Sequence, residues 1–354
     1  MYNESDLHKA YFKKVKENYH DETVLIDIEK GWKAVEQTIK PITIKKTNYL
    51  KYAVAASIVL LISISFLIKN EKDTEVVAPP VITNNTIKTG TDKATLTLED
   101  GTLVALEKGE QYISENLESD GEALVYKSPS TVSKEIIYNY LTIPRGGQYH
   151  VILSDGTEVW LNSESQIKYP VTFANKKTRQ VELVYGGEAY FDVSPSHENG
   201  GSKFKVHTGT QEVEVLGTEF NIRAYNDEDN IYTTLVEGKV TIKNNKHKEI
   251  LKPKEQAVLD INDNKFVVTD VDVFSEIAWK RGLFSFKNKS LKDIMKVISR
   301  WYDVDVIFID KDLENIEFKG VIKKSQNIED ILTLIKNTDF INDYDIKNST
   351  ILLK

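Results

Sequence analysis

Cysteine is absent from this 354-residue chain, which excludes disulfides, cysteine nucleophiles and metal sites built on thiolates. Histidine is scarce: the six histidines are scattered, and none belongs to an H-E-x-x-H or similar ligand pair. Basic residues are outnumbered, because 46 lysines and arginines face 54 aspartates and glutamates and leave a net charge of −8. Such a chain lacks the basic face with which proteins follow a phosphate backbone, so we expect no direct contact with nucleic acid.

Catalytic motifs are also missing: the sequence contains no G-x-S-x-G, no P-loop and no G-x-G-x-x-G. Ser165 and Lys168 fit an S-x-x-K string, but the companion strings of that enzyme class are absent. Glu182, Glu188 and Asp192 lie on strand patterns, where alternate residues usually form the solvated face of a half-buried sheet. A carboxylate pair of the glycosidase type among them is the alternative that spacing leaves open. We therefore expect no enzyme, no cofactor and no metal.

One long apolar run is present. Residues 50–68, LKYAVAASIVLLISISFLI, carry a single charge, Lys51, and as a helix would extend roughly 28 Å, close to the hydrocarbon thickness of a bilayer. The run predicts a transmembrane helix. Lysines are concentrated on its N-terminal side, whereas on the other side they are interleaved with acids. The positive-inside rule then places residues 1–49 in the cytoplasm and residues 69–354 on the opposite side.

Residues 1–49 predict two short amphipathic helices. The second, DETVLIDIEKGWKAVEQTIK, ends at Pro41 and repeats apolar residues at helical spacing. A segment of this length does not readily bury such a stripe in a core of its own, so we expect the stripe to bind a protein partner. The alternative is that the two helices pack on each other. The stripe consists of Val24, Leu25, Ile28, Trp32, Val35 and Ile39.

After a polar linker over residues 69–93, residues 94–270 predict an all-β domain, sandwich or solenoid-like, with its core over residues 138–243. Two stretches of this domain, LTLEDGTLVAL (96–106) and VILSDGTEVWL (151–161), align without a gap. Asp-Gly between alternating apolar residues predicts a tight hairpin, because both residues tolerate positive φ. We therefore interpret the acids there as turn residues.

Residues 282–354 predict the order β-α-β-β-α-β-β, a small α+β domain with two helices on one face of a sheet. Ser290 is placed to cap the first helix, and Asn327 or Gln326 lies near the cap of the second. The last strand, STILLK (349–354), is expected to be an exposed edge that can extend a neighbouring sheet. The whole chain thus predicts a multidomain membrane protein.

The order of these parts resembles the FecR family of transmembrane anti-sigma factors, in the form common in Bacteroidetes. The segment FSFKNKSLKDIMKVISRWYDVDV (284–306) is similar to that family's C-terminal domain, which itself resembles the short N-terminal domain of secretins and TonB-linked receptors. The motifs that are similar to its central periplasmic domain are DGTEVWLNSESQIKYP (155–170), RQVELVYGGEAYFDV (179–193), VEVLGTEFNIRAY (213–225) and TLVEGKVTI (234–242).

The resemblance implies a single-span protein of the bacterial inner membrane, with a cytoplasmic N-terminus and residues 69–354 in the periplasm. It also implies two partners: the signalling domain of a TonB-dependent outer-membrane transporter outside, and an extracytoplasmic-function sigma factor inside. The cytoplasmic segment would release or activate that sigma factor through the Trp32 stripe. The alternative function is a membrane-anchored periplasmic glycan- or wall-binding protein without a sigma partner.

Some members of the family cleave themselves between Gly and Thr, and Gly217-Thr218 looks like that site. There the Thr218 hydroxyl would attack the Gly217 carbonyl. The alternative is that Gly217 marks a bulge or a tight bend between strands.

Overall fold

A computed structural model describes residues 87–127, 136–174 and 176–354, which belong to one compact unit. The predicted cytoplasmic helices, the Trp32 stripe and the predicted transmembrane helix over residues 50–68 lie outside these ranges. Within them, no helix combines the length and the apolar character needed to cross a bilayer.

The first nineteen strands, here called the β domain, form two layers. The first layer has the neighbour order β2-β1-β6-β9-β10-β12-β13-β16-β17. Its strands are β1 (Thr91–Thr97), β2 (Leu103–Glu107), β6 (Tyr138–Ile143), β9 (Ser165–Pro170), β10 (Arg179–Val184), β12 (Phe204–Thr208), β13 (Gln211–Val215), β16 (Val240–Lys243) and β17 (Lys248–Leu251).

The second layer has the order β3-β4-β5-β7-β8-β11-β14-β15-β18-β19. Its strands are β3 (Tyr112–Ile113), β4 (Leu117–Ser119), β5 (Ala123–Tyr126), β7 (Gly147–Ile152), β8 (Glu158–Leu161), β11 (Glu188–Asp192), β14 (Glu219–Arg223), β15 (Asn230–Glu237), β18 (Glu255–Asp260) and β19 (Lys265–Asp270). Strand β1 joins the layers, because it pairs with β6 in one and with the start of β7 in the other.

A single apolar core fills the space between the layers. Strand alternation produces it: on β12, for example, Phe204 and Val206 are buried while Lys205 between them is half-exposed. Phe191 of the second layer lies 6.4 Å from Phe204 of the first, ring centroid to centroid. The prediction of an all-β domain is confirmed, and of the two forms left open the structure shows the sandwich.

The two Asp-Gly stretches form the predicted hairpins, one in each layer. Gly101 and Gly156 adopt φ of 83° and 81° at the turns. The Asp100 and Asp155 carboxylates each accept the backbone N–H two residues on, at 2.9 and 3.0 Å. These acids are turn residues, as the sequence indicated.

Asp155 has a second role, because it forms a buried ion pair with Arg179 of β10. The two side chains are each 2% exposed, and Arg179 Nη1 lies 2.6 Å from Asp155 Oδ2. The guanidinium also donates to the carbonyls of Ser194 and Ser202 at 3.1 Å. A buried charge is tolerated when it is paired and hydrogen-bonded in this way, so the pair fixes the end of the sandwich.

Beyond the β domain, a connecting segment leads to the C-terminal domain (residues 282–354). The connecting segment consists of helix α1 (Val273–Ile277) and a 3-10 turn (Ala278–Arg281). The C-terminal elements are β20 (Leu283–Ser290), α2 (Leu291–Tyr302), β21 (Asp305–Phe308), β22 (Glu317–Lys323), α3 (Ile328–Lys336), β23 (Tyr344–Lys347) and β24 (Thr350–Leu353), with a 3-10 turn at Lys311–Asn315. This is the predicted order, and Ser290 caps α2 by accepting the Asp293 N–H at 3.1 Å.

Two expectations for this domain were wrong. Its strands form two sheets rather than one: β20 pairs with β22, and a second sheet has the order β21-β24-β23. The STILLK strand, β24, is therefore central and not an edge. Its side chains explain this position, because Ile351 and Leu353 are fully buried in the C-terminal core. The edge next to it is β21, where Ile307 is 49% exposed.

Candidate functional site

The candidate cleavage residues lie where the chain crosses from β13 of the first layer to β14 of the second. Gly217 adopts φ of 139°, and an added Cβ would lie 2.9 Å from Pro195 Cα, so the position requires glycine. Thr218 is buried, and its hydroxyl donates to the Lys239 carbonyl at 3.1 Å. A register shift follows between Glu219 and Phe220. The bend and bulge are present, and self-cleavage stays a prediction.

Glu188 departs from the expectation of a solvated face. Its side chain is 7% exposed and accepts hydrogen bonds from Asn162 Nδ2 at 2.8 Å and Asn221 Nδ2 at 3.0 Å. Burial raises the pKa of its carboxyl, although Arg223 and the two amides oppose that shift. The expectation was wrong because the connecting segment and the C-terminal domain cover the outer face of the second layer here. Glu182, by contrast, is exposed.

The connecting segment lies on that outer face. Ile277 and Trp279 are buried against Tyr190 of β11, and Trp279 Nε1 donates to Asn221 Oδ1 at 3.3 Å. Lys280 extends across the strands and places its Nζ 3.4 Å from the ring centroid of Trp160 and 4.0 Å from that of Tyr190. Cation–π contacts of this kind strengthen when the cation is desolvated, so the segment is firmly attached to the β domain.

Lys280 also faces a row of acids, Glu158, Asp192 and Glu219, which occupy opposite positions on β8, β11 and β14. Burial raises the pKa of Asp192, and the Glu219 and Glu158 carboxylates add to that effect. Burial lowers the pKa of Lys280, although the three acids oppose it. In the described ranges, no group of three or more His, Asp or Glu side chains is arranged to hold a metal ion. Lys280 is thus the cation whose charge these three acids favour.

Helix α2 is attached to the β domain through Arg300. Its guanidinium is buried, forms ion pairs with Asp227, with Glu228 at 3.3 Å and with Glu164 at 3.3 Å, and lies 3.6 Å from the ring centroid of Tyr225. Burial opposes the charged form, but Tyr225, Asp227 and Glu228 raise the pKa of the guanidinium. The helix thus inserts a permanent cation into an acidic recess of the β domain.

In the opposite direction, the β domain inserts Arg145 at the C-terminus of α2. Its Nη2 donates to the Ser299 carbonyl at 3.0 Å and also to the Val304 carbonyl. Its guanidinium forms ion pairs with Asp303 at 3.2 Å and Asp305 at 3.4 Å. The C-terminal end of a helix attracts cations, so Arg145 stabilises the last turn of α2 from another domain.

Lys324 completes this contact. Its side chain is 3% exposed, its Nζ donates to Gln148 Oε1 at 2.8 Å, and Gln148 Nε2 donates in turn to Asp92 Oδ1 at 3.0 Å. The Nζ also lies 3.5 Å from the ring centroid of Trp301. Burial lowers the pKa of Lys324 to about 7, although the Glu188 and Asp92 carboxylates oppose the shift.

A cleft of about 250 Å³ remains between the two domains. It is polar, and its arginine is paired within the β domain: Arg223 lies 3.1 Å from Glu228 and stacks 4.1 Å from the ring centroid of Tyr232. The feature that distinguishes this region is therefore the contact itself. Its ion pairs and hydrogen bonds hold one domain against the other, and we take this contact as the candidate functional site.

The glycan-binding alternative would place a sugar on Trp160, which lines a cleft of about 340 Å³ with several acids. His150 stacks on that indole at 4.2 Å, and Lys280 lies at 3.4 Å. Two groups this close to one ring must cover opposite faces. A sugar that stacks on an aromatic ring needs a free face, so this tryptophan does not offer a platform.

Sequence reasoning did not single out Arg145, Arg300 or Lys324. Arg300 lies on the opposite side of α2 from Leu291, Ile294 and Ile298, where helical spacing predicts a solvent-exposed residue, and its burial depends on acidic partners from elsewhere. Nothing in the local pattern indicated which segment would supply them.

Comparison with known proteins points in one direction. Residues 139–241 match the family described as FecR protein, and residues 283–353 match the family described as FecR, C-terminal. Two crystal structures, each of a candidate anti-sigma factor from Parabacteroides distasonis ATCC 8503, are similar with a TM-score of 0.55 at 26% and 25% identity. The similarity covers 61% of this chain and 98% of the solved one. No curated protein matches.

Proposed function

We propose that this chain, which belongs to the FecR family, is a signal transducer that controls a sigma factor from the membrane. The observation that carries the proposal is the pair of FecR domains in one compact unit, similar to a solved candidate anti-sigma factor. Two domains held together by buried ion pairs suit a signal transducer, because binding of a partner to one domain can alter the other.

On the cytoplasmic side, we propose that residues 1–49 bind an extracytoplasmic-function sigma factor. The support is the apolar stripe with Trp32 at its centre, which a short segment cannot bury alone. A helix of this kind binds by placing its apolar face in a groove of the partner. Residues 50–68 would cross the inner membrane and leave residues 69–354 in the periplasm.

On the periplasmic side, we propose that the C-terminal domain binds the signalling domain of a TonB-dependent transporter by strand addition at β21. Among the described strands, β21 pairs only with β24. The N–H groups of Asp305 and Ile309 point toward β24, so those of Val306 and Phe308 point outward. A cleft of about 460 Å³ between β21 and α2, lined by Met295 and Phe308 as well as by charged side chains, offers space for the side chains of an added strand.

The experiment is a sigma-dependent reporter in the native host, measured with and without the outer-membrane signal. A chain lacking residues 283–354 should lose the response to the signal, because the proposed docking edge is gone. Response to the signal at the level of the full chain would refute the role of this domain. The glycan-binding alternative is favoured by no specific contact of the described residues.

A further inference from the structure

We propose that the C-terminal domain clasps the segment through which the chain reaches the β domain, and that displacing the domain releases that segment. The segment, here called the strap, comprises residues 87–90 and leads directly into β1. In sequence it follows the linker that continues from the predicted membrane span. The inference rests on the proposed function for its regulatory meaning, but the clasp itself can be tested without a sigma factor.

Two contacts hold the strap against the C-terminal domain. Ile87 is half-buried and packs against the C-terminal core, not against the core of the sandwich that the strap precedes. Gly90 lies on the indole of Trp301, so closely that an added Cβ would come within 2.6 Å of Cδ2 and Cε3. Atoms at that distance overlap, so only glycine lets the strap lie flat on Trp301.

Backbone hydrogen bonds continue the same contact into α2. The N–H of Thr91, the first residue after the strap, donates to the Gly146 carbonyl at 3.0 Å. The N–H of Gly146 donates in turn to the Arg300 carbonyl at 2.7 Å. The start of β1 and the last turn of α2 are therefore linked through one residue of the β6–β7 turn.

A series of side-chain hydrogen bonds runs beside this backbone link. Lys324 donates to Gln148, and Gln148 donates to Asp92, the second residue of β1. Trp301 Nε1 donates to the Lys324 carbonyl at 2.9 Å, so the indole that supports the strap is oriented by the same loop. Moving the C-terminal domain away would break both links and uncover Ile87 and Gly90 together.

The geometry also connects the clasp with the proposed docking edge. Arg145 holds the Val304 carbonyl and forms ion pairs with Asp303 and Asp305, and β21 begins at Asp305. A partner strand added to β21 therefore acts on residues adjacent to those that Arg145 holds. Binding at the edge and release of the strap would then be coupled through one short segment.

The test uses the full chain in lipid nanodiscs with a single thiol, which is possible because the chain has no cysteine of its own. Ile87→Cys should react with a maleimide about tenfold more slowly than the exposed control Lys246→Cys, because residue 87 packs against the C-terminal core and full access to it requires local opening. Adding Gly90→Ala should remove most of that protection. The matched control is Gly320→Ala, whose added Cβ meets no atom within 4 Å.

Two further measurements separate release of the strap from unfolding. A thiol at Ala257, which is fully buried in the sandwich, should stay unreactive when Gly90→Ala is present. If it reacts, Ile87→Ala combined with a thiol at Thr89 gives a milder perturbation of the same contact. Rapid labelling at residue 87 of the otherwise unchanged chain, or equal labelling with Gly90→Ala and Gly320→Ala, would overturn the clasp.

The regulatory role of strap release is measured with the sigma-dependent reporter. Gly90→Ala should give the induced output without the outer-membrane signal, whereas Gly320→Ala should remain signal-dependent. Normal signal dependence of Gly90→Ala, despite rapid labelling at residue 87, would overturn the regulatory inference and leave the proposed function standing. Loss of every sigma-dependent response in the unchanged chain would instead contradict the proposed function.

Discussion

Lys324→Met offers a direct test of the buried contact between the two domains, because burial lowers the lysine pKa to about 7 from an ordinary 10.5. Methionine preserves the apolar stem on Trp301 and removes the titrating amine. Between these two pKa values the unfolded chain binds a proton that the folded chain does not, so the folded lysine protein gains stability as pH rises. At pH below the folded pKa, the full penalty of burying the charge applies, about 5 kcal/mol.

Between about pH 6 and about pH 8.5, linkage predicts that the free energy of unfolding of the wild type rises by about 2 kcal/mol relative to that of Lys324→Met. The Glu188 and Asp92 carboxylates that act on the amine are present in both proteins, so the two chains differ only at residue 324. The assay is urea unfolding of the fragment 82–354 at both pH values. The control is Lys287→Met at an exposed position, and its difference in unfolding free energy from the wild type should not change with pH. A difference for Lys324→Met that is likewise independent of pH would refute the lowered pKa of the buried amine.

Three other predictions follow from single contacts. Arg179→Met should lower the free energy of unfolding in urea by about 3–5 kcal/mol, because it leaves Asp155 buried without its partner. Adding Asp155→Asn should restore part of that loss, and additive effects of the two substitutions would contradict the pairing. If self-cleavage occurs, Thr218→Ala should abolish the fragments seen on a gel, and identical fragments would dismiss it. Ile307→Lys should weaken binding of the transporter's signalling domain by about tenfold or more. The control Leu334→Lys, at 50% exposure on α3, should leave that binding unchanged. Equal effects of the two substitutions would exclude β21 as the docking edge.

Local chemistry made much of the fold predictable. The Asp-Gly turns follow from the tolerance of both residues for positive φ, and the cap of α2 follows from a hydroxyl three residues before a free N–H. Alternation of apolar residues identified the strands of the β domain. These signals lie within a few residues of the structure that they specify.

Sheet order was not predictable in the same way. The sequence of β24 indicates a strand, but its central place depends on β21 and β23, which bury Ile351 and Leu353 between them and the helices. Likewise, β1 pairs with both β6 and β7, and no local pattern identifies a strand that joins two layers. Position within a sheet depends on partners distant in sequence.

The candidate site was missed for a related reason. Glu188, Arg300 and Lys324 are polar residues at buried positions, and a pattern that assigns polar residues to solvent misplaces them. Each is tolerated only because another segment supplies its partner. Gly90 shows the same dependence, since its role comes from an indole more than two hundred residues later in the chain.

The most direct test of the account is co-purification of the sigma factor with this protein from solubilised membranes. The full chain, a chain lacking residues 1–49 and Trp32→Ala should be compared, with the protein identified by mass spectrometry. We expect an extracytoplasmic-function sigma factor with the full chain, much less with Trp32→Ala, and none without residues 1–49. Absence of a sigma factor from all three, with glycan or wall fragments bound instead, would contradict the account.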